Sequence, residues 1–491
     1  MGTINSAFSI MSQTLDADQS ALNIVANNVA NANTPGYTVE TPNWQENQPI
    51  EINGISNGDG VLETGATSQR NSVLEQRLDQ QQQLASASGS RLSALNTIQA
   101  LFTPDSGSTS SSAGDIGSDL TSFFSSFSSL EANPTDNSMR EKVLSSASTL
   151  AGDISNAAAS LNSQKSALDQ EAAGVVSQVN ALTGAVSQLN QQIQSTSPDS
   201  DAGTLEDQRQ QDLSQLSQLI GINQVTTDKN GLSITTTSGQ LLVSDGSSFQ
   251  LTSGTVGGVT HFFLGTTDVT AQLASGGGSL GGDLTARDTD IPNVQASLDQ
   301  LAYSISMQVN ALNNAGTDAD GATGAAVSSS TTGAWTLDIF SPPPTLAANE
   351  DSGGNDVSGS ASSMSVVMID PNHIAAAGLG DGTGDNTNAV AMANLGSQAI
   401  VNGQTPINSY SDFVSTLGAT VSGVQTENTA QNASVTQLQT QNDALSSVNL
   451  NDEAAAMSTL ESSYQAASQV FTMLNTIMAS ALNLGEQTTV S

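Results

Sequence analysis

The sequence predicts an α+β chain of several domains whose two ends belong together. Three observations carry this. Residues 4–33 and 453–484 each place apolar side chains at alternating steps of three and four, the heptad seam of a coiled coil. Two interior stretches, 138–195 and 411–445, keep that spacing far beyond the length of an ordinary globular helix. Between them, residues 221–265 change period to short β-prone runs divided by turn residues. The expected fold is a coiled coil made from the two termini, a long-helix bundle domain, and one or more small β-rich outer domains.

The first seam is Ile4, Phe8, Met11, Leu15, Asp18, Leu22, Val25, Val29 and Ala32, with Asp18 its polar member. The last is Met457, Leu460, Tyr464, Ala467, Phe471, Leu474, Met478 and Ala481. Val470, Ile477 and Leu484 add a row beside it, giving a stripe wider than one partner helix needs. Each terminal helix has little else to bury its seam. The ends are therefore expected to pack on each other, and the surplus row on other subunits. Asn27, Asn28, Asn31 and Asn33 weaken the first helix near its end, and Asn tolerates the left-handed closing conformation. Pro35 pushes Thr34 out of the helical region, and Pro35-Gly36 suits the central positions of a type II turn. Tyr37 is placed to anchor the exit, so Asn33, Thr34, Pro35, Gly36 and Tyr37 form the expected turn.

Residues 38–69 read as short extended stretches with Asn-Gly pairs at 53–54 and 57–58 and Asp-Gly at 59–60. A helix is expected at about 72–102, where Leu74, Leu78, Gln81, Ala85, Ser88, Leu92 and Leu95 keep helical spacing. Residues 103–117 are a Ser/Gly linker, and 118–132 a short helix carrying Phe123, Phe124 and Phe127, stopped by Asn133-Pro134-Thr135. The 138–195 helix holds two registers. Val143, Ala147, Leu150, Ile154, Ala157, Leu161, Gln164 and Leu168 share one; Ala172, Val175, Val179, Leu182, Val186, Leu189 and Ile193 share the other. The extra step of four from Leu168 to Ala172 is a stutter, which unwinds a supercoil locally. Ser197-Pro198 ends this helix, and Leu205, Leu213, Leu216 and Leu219 mark another at 204–219.

The β-prone runs are 222–225, 232–236, 241–243, 249–251 and 259–263, with turns at Lys229-Asn230-Gly231 and Asp245-Gly246, a small antiparallel unit. Helix returns at 284–313. In 317–385, residues 335–340 and 364–369 read as strands, and 342–344 and 349–363 as loop. The second long helix carries Val414, Leu417, Val421, Val424, Asn428, Gln431, Val435, Leu438, Asn442 and Leu445, and residues 446–452 interrupt before the last helix.

Lys and Arg number 9 against 46 Asp and Glu, a net charge of −37, and every basic residue lies between Arg70 and Arg287. A phosphate-binding surface needs Lys or Arg, which excludes nucleic acid and anionic membrane as natural partners. Charged residues are 11% of the chain, below the roughly 25% usual in globular domains. Ser, Asn, Gln, Thr and Gly supply the solvation, and such a surface can assemble through apolar seams. The absence of cysteine excludes disulfides, thiolate metal sites and a Cys nucleophile together. Residues 1–15 lack a positive n-region, and Asn5, Ser12 and Gln13 break any apolar run, so no cleaved signal peptide is expected. Residues 462–485 are uncharged, but recurring Ser, Gln, Thr and Asn argue for an assembly helix over a membrane span.

No constellation of residues calls for catalysis. Residues 54–58 spell G-x-S-x-G around Ser56, yet the helix that a nucleophile elbow requires does not follow. His261 and His373 are the only histidines, too few for a His-rich metal site. The acidic turns at 318–321 and 381–385 resemble fragments of calcium loops without the ligand count or the closing Glu. No phosphate loop or dinucleotide fingerprint occurs. Catalytic, cofactor and metal sites are therefore expected to be absent. The candidate functional residues are the seam positions Phe8, Met11, Leu15, Leu22, Val25, Val29, Leu460, Tyr464, Phe471, Leu474 and Met478.

The segment SALNIVANNVANANTPGY (20–37) resembles the N-terminal signature of bacterial flagellar rod, hook and hook-associated proteins, departing from it at Val39, where many members carry a basic residue. The body is similar to hook-associated members in FFSSFSSLEANPTDNSMREKVLSSASTLAGDI (123–154), VNALTGAVSQLNQQI (179–193), DLSQLSQLIGINQVTTDKNGLSITTTSGQLLV (212–243) and residues 277–318. GDNTNAVAMANL (384–395) resembles the segment where such chains return from an outer domain into helix, and residues 446–452 resemble the family's linker. The resemblance spans nearly the whole chain. It implies an extracellular axial subunit of the flagellum, exported by the type III apparatus without a cleaved signal, in which the terminal helical pair lines a tube. It implies a structural role joining hook to filament. The implied partners are hook protein, hook-associated protein 3, further copies in a ring, and an export chaperone on the C-terminal helix. Another axial subunit, hook-associated protein 3 or a hook or rod protein, is the alternative, and a secreted serine hydrolase built on Ser56 a remote one. The domains expected are 1–37 with 450–491; 38–220 with 284–316 and 386–449; and 221–283 with 317–385.

Overall fold

The computed structural model describes residues 2–52, 55–103, 116–197, 201–324, 337–343 and 357–487. Most of the expected 103–117 linker, the Asn53-Gly54 pair, residues 335–336, Pro344 and residues 349–356 lie outside them. Helix α1 (Gly2–Asn31) leads into an extended excursion: β1 (Glu40–Glu46), β2 (Ile50–Ile52), β3 (Ile55–Asn57) and β4 (Val61–Ser68). β1 pairs antiparallel with β4, and β2 with β3. This hairpin lies along α1, where Asn47 Nδ2 donates to Gln13 Oε1 at 3.0 Å. Gly60 permits the approach, because a Cβ there would meet Gln13 Oε1 at 2.7 Å.

Helix α2 (Ser72–Leu101) begins at Asn71, whose side chain accepts from the Leu74 amide, a normal N-cap. α3 (Ile116–Ala132) precedes α4 (Asn137–Thr196), which is capped by Asp136. α5 (Thr204–Leu219) then leads to β5 (Ile222–Thr226), β6 (Leu232–Thr236), β7 (Leu241–Ser244) and β8 (Ser247–Ser248), a four-stranded sheet in sequence order. β9 (Leu251–Val256), β10 (Val259–Leu264) and β11 (Thr267–Asp268) form a second sheet. Every pairing is antiparallel. Lys229, Asn230 and Asp245 adopt positive φ at the expected turns. After α6 (Thr270–Ala274), α7 (Gly278–Thr285) runs through a π-helical turn at Ala286–Asp290 into α8 (Ile291–Ala315). The helix expected at 284 therefore starts more than a turn earlier. α9 (Ser360–Ser363), α10 (Thr387–Leu395), α11 (Pro406–Ser446) and α12 (Leu450–Gln487) complete the chain.

Two separate cores share α4. The first gathers Leu95 and Ile98 of α2, the α3 phenylalanines, α4 as far as Leu168, and parts of α8, α10 and α11. The second takes α4 from Ala172 onward, with α5, both sheets, α6 and α7. The stutter thus falls on their border, because a change of register turns the apolar stripe toward a different neighbour. The same level carries a belt of ion pairs. Arg287, 1% exposed, reaches Asp169 of α4 at 2.7 Å and Asp288 at 2.8 Å. Arg91 of α2 forks onto Asp290 at 2.8 and 2.9 Å, the geometry guanidinium favours. Beyond the stutter Leu182 and Leu189 are half-buried, while Thr183, Val186 and Asn190 are buried. A straight helix drifts about 20° per heptad from a strict 3.5 repeat, and that drift accounts for the exchange.

Two expectations for 317–385 fail. Residues 337–340 and 364–369 form no strands, only the single bridge Phe340↔Val366. A helix side chain supplies what a neighbouring strand would. Asn310 of α8 accepts from the amides of Ile339 and Phe340 at 3.0 Å each and donates to Phe340 O at 2.8 Å. Nor does this segment join 221–283 in one β-rich region. Ile339, Phe340, Ala361, Met364, Ile374 and Ala376 belong to the first core, and residues 222–284 to the second.

Candidate assembly surface

α1 and α12 lie antiparallel, and their contact runs from Asn28–Glu453 at the body end to Phe8–Phe471 at the far end, where the rings stack at 4.5 Å. Ala21, Val25 and Leu460 form its buried centre, with Leu22, Ala456 and Met457 packed around them. Ala17, Asp18, Asn28, Glu453 and Ala467 are also buried. Of the predicted seam positions, Val25 and Leu460 are buried, and Phe8, Met11, Leu15, Leu22, Phe471, Leu474 and Met478 are half-buried. Val29 and Tyr464 are not brought in: they stand 41% and 38% exposed. The drift that shifts the stripe on α4 also moves the α1 stripe onto Ala17, Ala21, Val25 and Asn28. Val470, Met473 and Ile477 face outward along α12, unused by α1. Ile4 and Leu484 have side chains outside the description.

The exit from α1 is a tight turn. The Tyr37 amide donates to Thr34 O at 3.2 Å, and Gly36 has φ +80°, the geometry of a type II turn with Pro35 and Gly36 central. Sequence reasoning took Asn28 only as a weak helix former. It is 1% exposed and is the hub of the exit. Its Oδ1 accepts from Tyr37 Oη at 2.8 Å and from the Glu40 amide at 3.0 Å; its Nδ2 donates to Glu40 O at 2.8 Å and Glu453 Oε2 at 3.2 Å. One amide therefore joins α1, β1 and α12. The signal for this was faint: a polar residue three after Val25, within a run already rich in asparagine.

Arg77, Lys142 and Lys229 are exposed, while five of the nine cations are engaged within the fold. Arg91, Arg287 and Arg70 are in ion pairs; Arg140, 1% exposed, donates to the Ile374 and Pro134 carbonyls; Arg209 donates to Asn190 Oδ1 and Asn230 O. Nothing in the described terminal helices presents a positive charge, so the apolar row on α12 is bordered by hydroxyls and amides.

The remaining sequence candidates do not assemble into chemistry. Ser56 lies exposed in β3, paired with Glu51, and the chain continues into β4 with no helix after it. Asp318, Asp320 and His373 do converge, with donor atoms within 4.8 Å of one another. Asp318 is fully buried, however, and its oxygens already accept from the amides of Asp320 and Ala322 and pair with His373 Nδ1 at 3.0 Å. That arrangement closes a turn. Among the described residues, no helix is long and apolar enough to cross a membrane.

Residues 106–327 match the family described as flagellar hook-associated protein FlgK helical domain, and residues 10–38 match flagella basal body rod protein. Flagellar hook-associated protein 1 of Escherichia coli (strain K12) is 25% identical across 96% of this chain and 98% of its own. The protein of that name from Salmonella typhimurium is 26% identical over the same shares, and that of Bacillus subtilis (strain 168) 24% identical over 96% of each. A solved structure of the flagellar hook junction protein FlgK from Burkholderia pseudomallei shares the fold, with a TM-score of 0.61 at 19% identity, covering 74% of this chain and 99% of that one. The chain is thus similar to flagellar hook-associated protein 1 over nearly its full length, and it carries that protein's helical domain at residues 106–327.

Proposed function

We propose that this chain is a structural subunit of the bacterial flagellum that joins hook to filament, assembling through its terminal helices. The observation that carries the reading is the outward row Val470, Met473 and Ile477 on a helix whose inner face is already occupied by α1. Exposed apolar side chains in a line, with Tyr464 earlier on the same helix and Val29 at the body end of the pair, are what a repeated lateral contact uses. Burying one such side chain contributes about 1.5–3 kcal/mol, and a closed array multiplies it over many copies. The pair lines the tube and the two-core body faces solvent. The partners are hook protein, hook-associated protein 3 and further copies in a ring; an export chaperone covers the C-terminal helix before assembly. Export uses the type III route without a cleaved signal.

Full-length similarity to hook-associated protein 1 favours this over another axial subunit. Deleting the gene and viewing the cells by electron microscopy tests the reading. Complete hooks without filaments, with filament subunits free in the medium, are expected; filaments attached as in the parent would refute it.

A further inference from the structure

The terminal unit, made of α1, α12 and the β1–β4 hairpin, contributes to neither large core among the described residues, and the feet of the hairpin join it to the body. There a remote stretch, the start of α5, grips both feet of the hairpin. The Thr38 amide donates to Asp207 Oδ2 at 3.1 Å, and Ser68 donates through its amide and hydroxyl to Asp201 at 2.6 and 2.9 Å. Arg70 stands between them. It donates to Asp207 Oδ1 at 2.5 Å and pairs with Glu75 at 3.5 Å and Glu206 at 3.8 Å. The Val39 amide donates to Ser446 O at 2.8 Å, joining the same point to the end of α11.

Charge sets Arg70 apart. Residues 1–69 and 288–491 contain no Lys or Arg, so the terminal unit brings only carboxylates, Glu40 and Glu453, to a joint already holding Glu75, Asp79, Asp201, Glu206 and Asp207. Arg209 lies near enough to feel Glu206 and Glu75, but it gives its hydrogen bonds to Asn190 and Asn230, and the ion pairs at the joint are Arg70's. The excess is felt locally. Burial, then Glu40, Asp207 and Glu453, push the Tyr37 phenol up to about 12, and burial, then Asp201 and Asp207, raise the Glu40 carboxyl.

We propose that Arg70 is the positioning residue of assembly: by clamping Asp207, Glu206 and Glu75 it fixes the angle at which the terminal unit leaves the body, so that every copy presents its seam alike. This rests on the structural-subunit reading. A guanidinium suits the task because its planar fork holds several carboxylates in set directions, which an ammonium cannot do. Without it the carboxylates repel, and the terminal unit is the part free to swing.

The chain has no cysteine, so spin labels can be placed at will. One pair, Ala466→Cys with Ala167→Cys, spans the joint; a second, Ala167→Cys with Ala430→Cys, lies within the body, and all three sites are exposed. In the free subunit the spanning pair is expected to give one narrow distance peak. In Arg70→Met that peak is expected to be lost to a spread while the body pair stays narrow, and Arg70→Lys is expected to recover it in part. An unchanged peak in Arg70→Met would overturn the proposal. So would broadening of the body pair, which would make Arg70 a support of the body itself, and so would a Lys variant as spread as the Met variant. The measurement uses the monomer, so it can fail while the deletion phenotype still stands, and the reverse.

Discussion

Replacing Asn28 with alanine deletes one amide and four hydrogen bonds. The Tyr37 hydroxyl, in a half-buried residue, can turn to water. The Glu40 amide and carbonyl and the Glu453 carboxylate lose their shared partner where water has little room, since Glu453 is 9% exposed and Asn28 1%. At about 1 kcal/mol for each neutral bond and somewhat more for the charged one, the loss is about 3 kcal/mol. That corresponds to about a hundredfold in an equilibrium constant. It falls on the opening of the terminal pair, because the Asn28 contacts lie outside both large cores. Native-state hydrogen exchange is the assay. Amides of α1 and the first turns of α12 should exchange about a hundredfold faster in Asn28→Ala, with amides around Leu150 and Ile234 unchanged. An acceleration below about threefold would refute the reasoning, since it would mean the apolar seam alone holds the pair.

Gly36→Ala should destabilise the exit by about 1–2 kcal/mol, the cost of positive φ for an L side chain, since a Cβ there meets nothing within 4 Å; Gly36→Asn should cost less, and limited proteolysis at the turn would rank the two. Asp18 is 7% exposed with Oδ2 lacking a protein partner, so Asp18→Asn should stabilise the terminal pair by about 1 kcal/mol, read as slower protease cleavage of α1. Asp79 and Asp283 are buried, and desolvation pushes each carboxyl up to about 6. A raised folded value contributes stability that is present below the unfolded value of 3.8 and lost as pH rises through about 6. Denaturant melts of the second core should therefore weaken between pH 4 and 7, by about 3 kcal/mol for each group, and Asp79→Asn should flatten half of that slope.

The heptad seams, the stutter and the turn at Pro35-Gly36 were legible because each is set by neighbours in sequence. The stutter carried more than it seemed to: a four-step after Leu168 marks where one core stops and another begins. The missed strands at 337–340 and 364–369 show the opposite case. Their β-prone residues suggest a paired ladder, but the two stretches meet only around the Phe340–Val366 bridge, Val367 and Ile369 stand exposed, and the backbone of 337–340 bonds mainly to Asn310 and Asn313 of α8. The same device recurs where Asn180 brackets the amide and carbonyl of Leu251, and where Asn28 brackets Glu40. An asparagine amide offers the donor and acceptor of a peptide unit, so a helix face can stand in for a strand edge. Nothing in an asparagine's sequence neighbours tells whether its partner lies 12 or 71 residues away.

The amino-acid order by itself determined where helices run, which face of each is apolar, that the ends form a matched pair, and that no cationic surface exists outside 70–287. Those properties follow from local periodicity and composition. Tertiary structure alone decided that Asn28 is a hub and not a helix breaker, that Val29 and Tyr464 turn outward, and that Arg70 meets the start of α5. Each depends on a partner brought from far along the chain, and on the slow rotation of a 3.6-residue helix against a seam written in threes and fours.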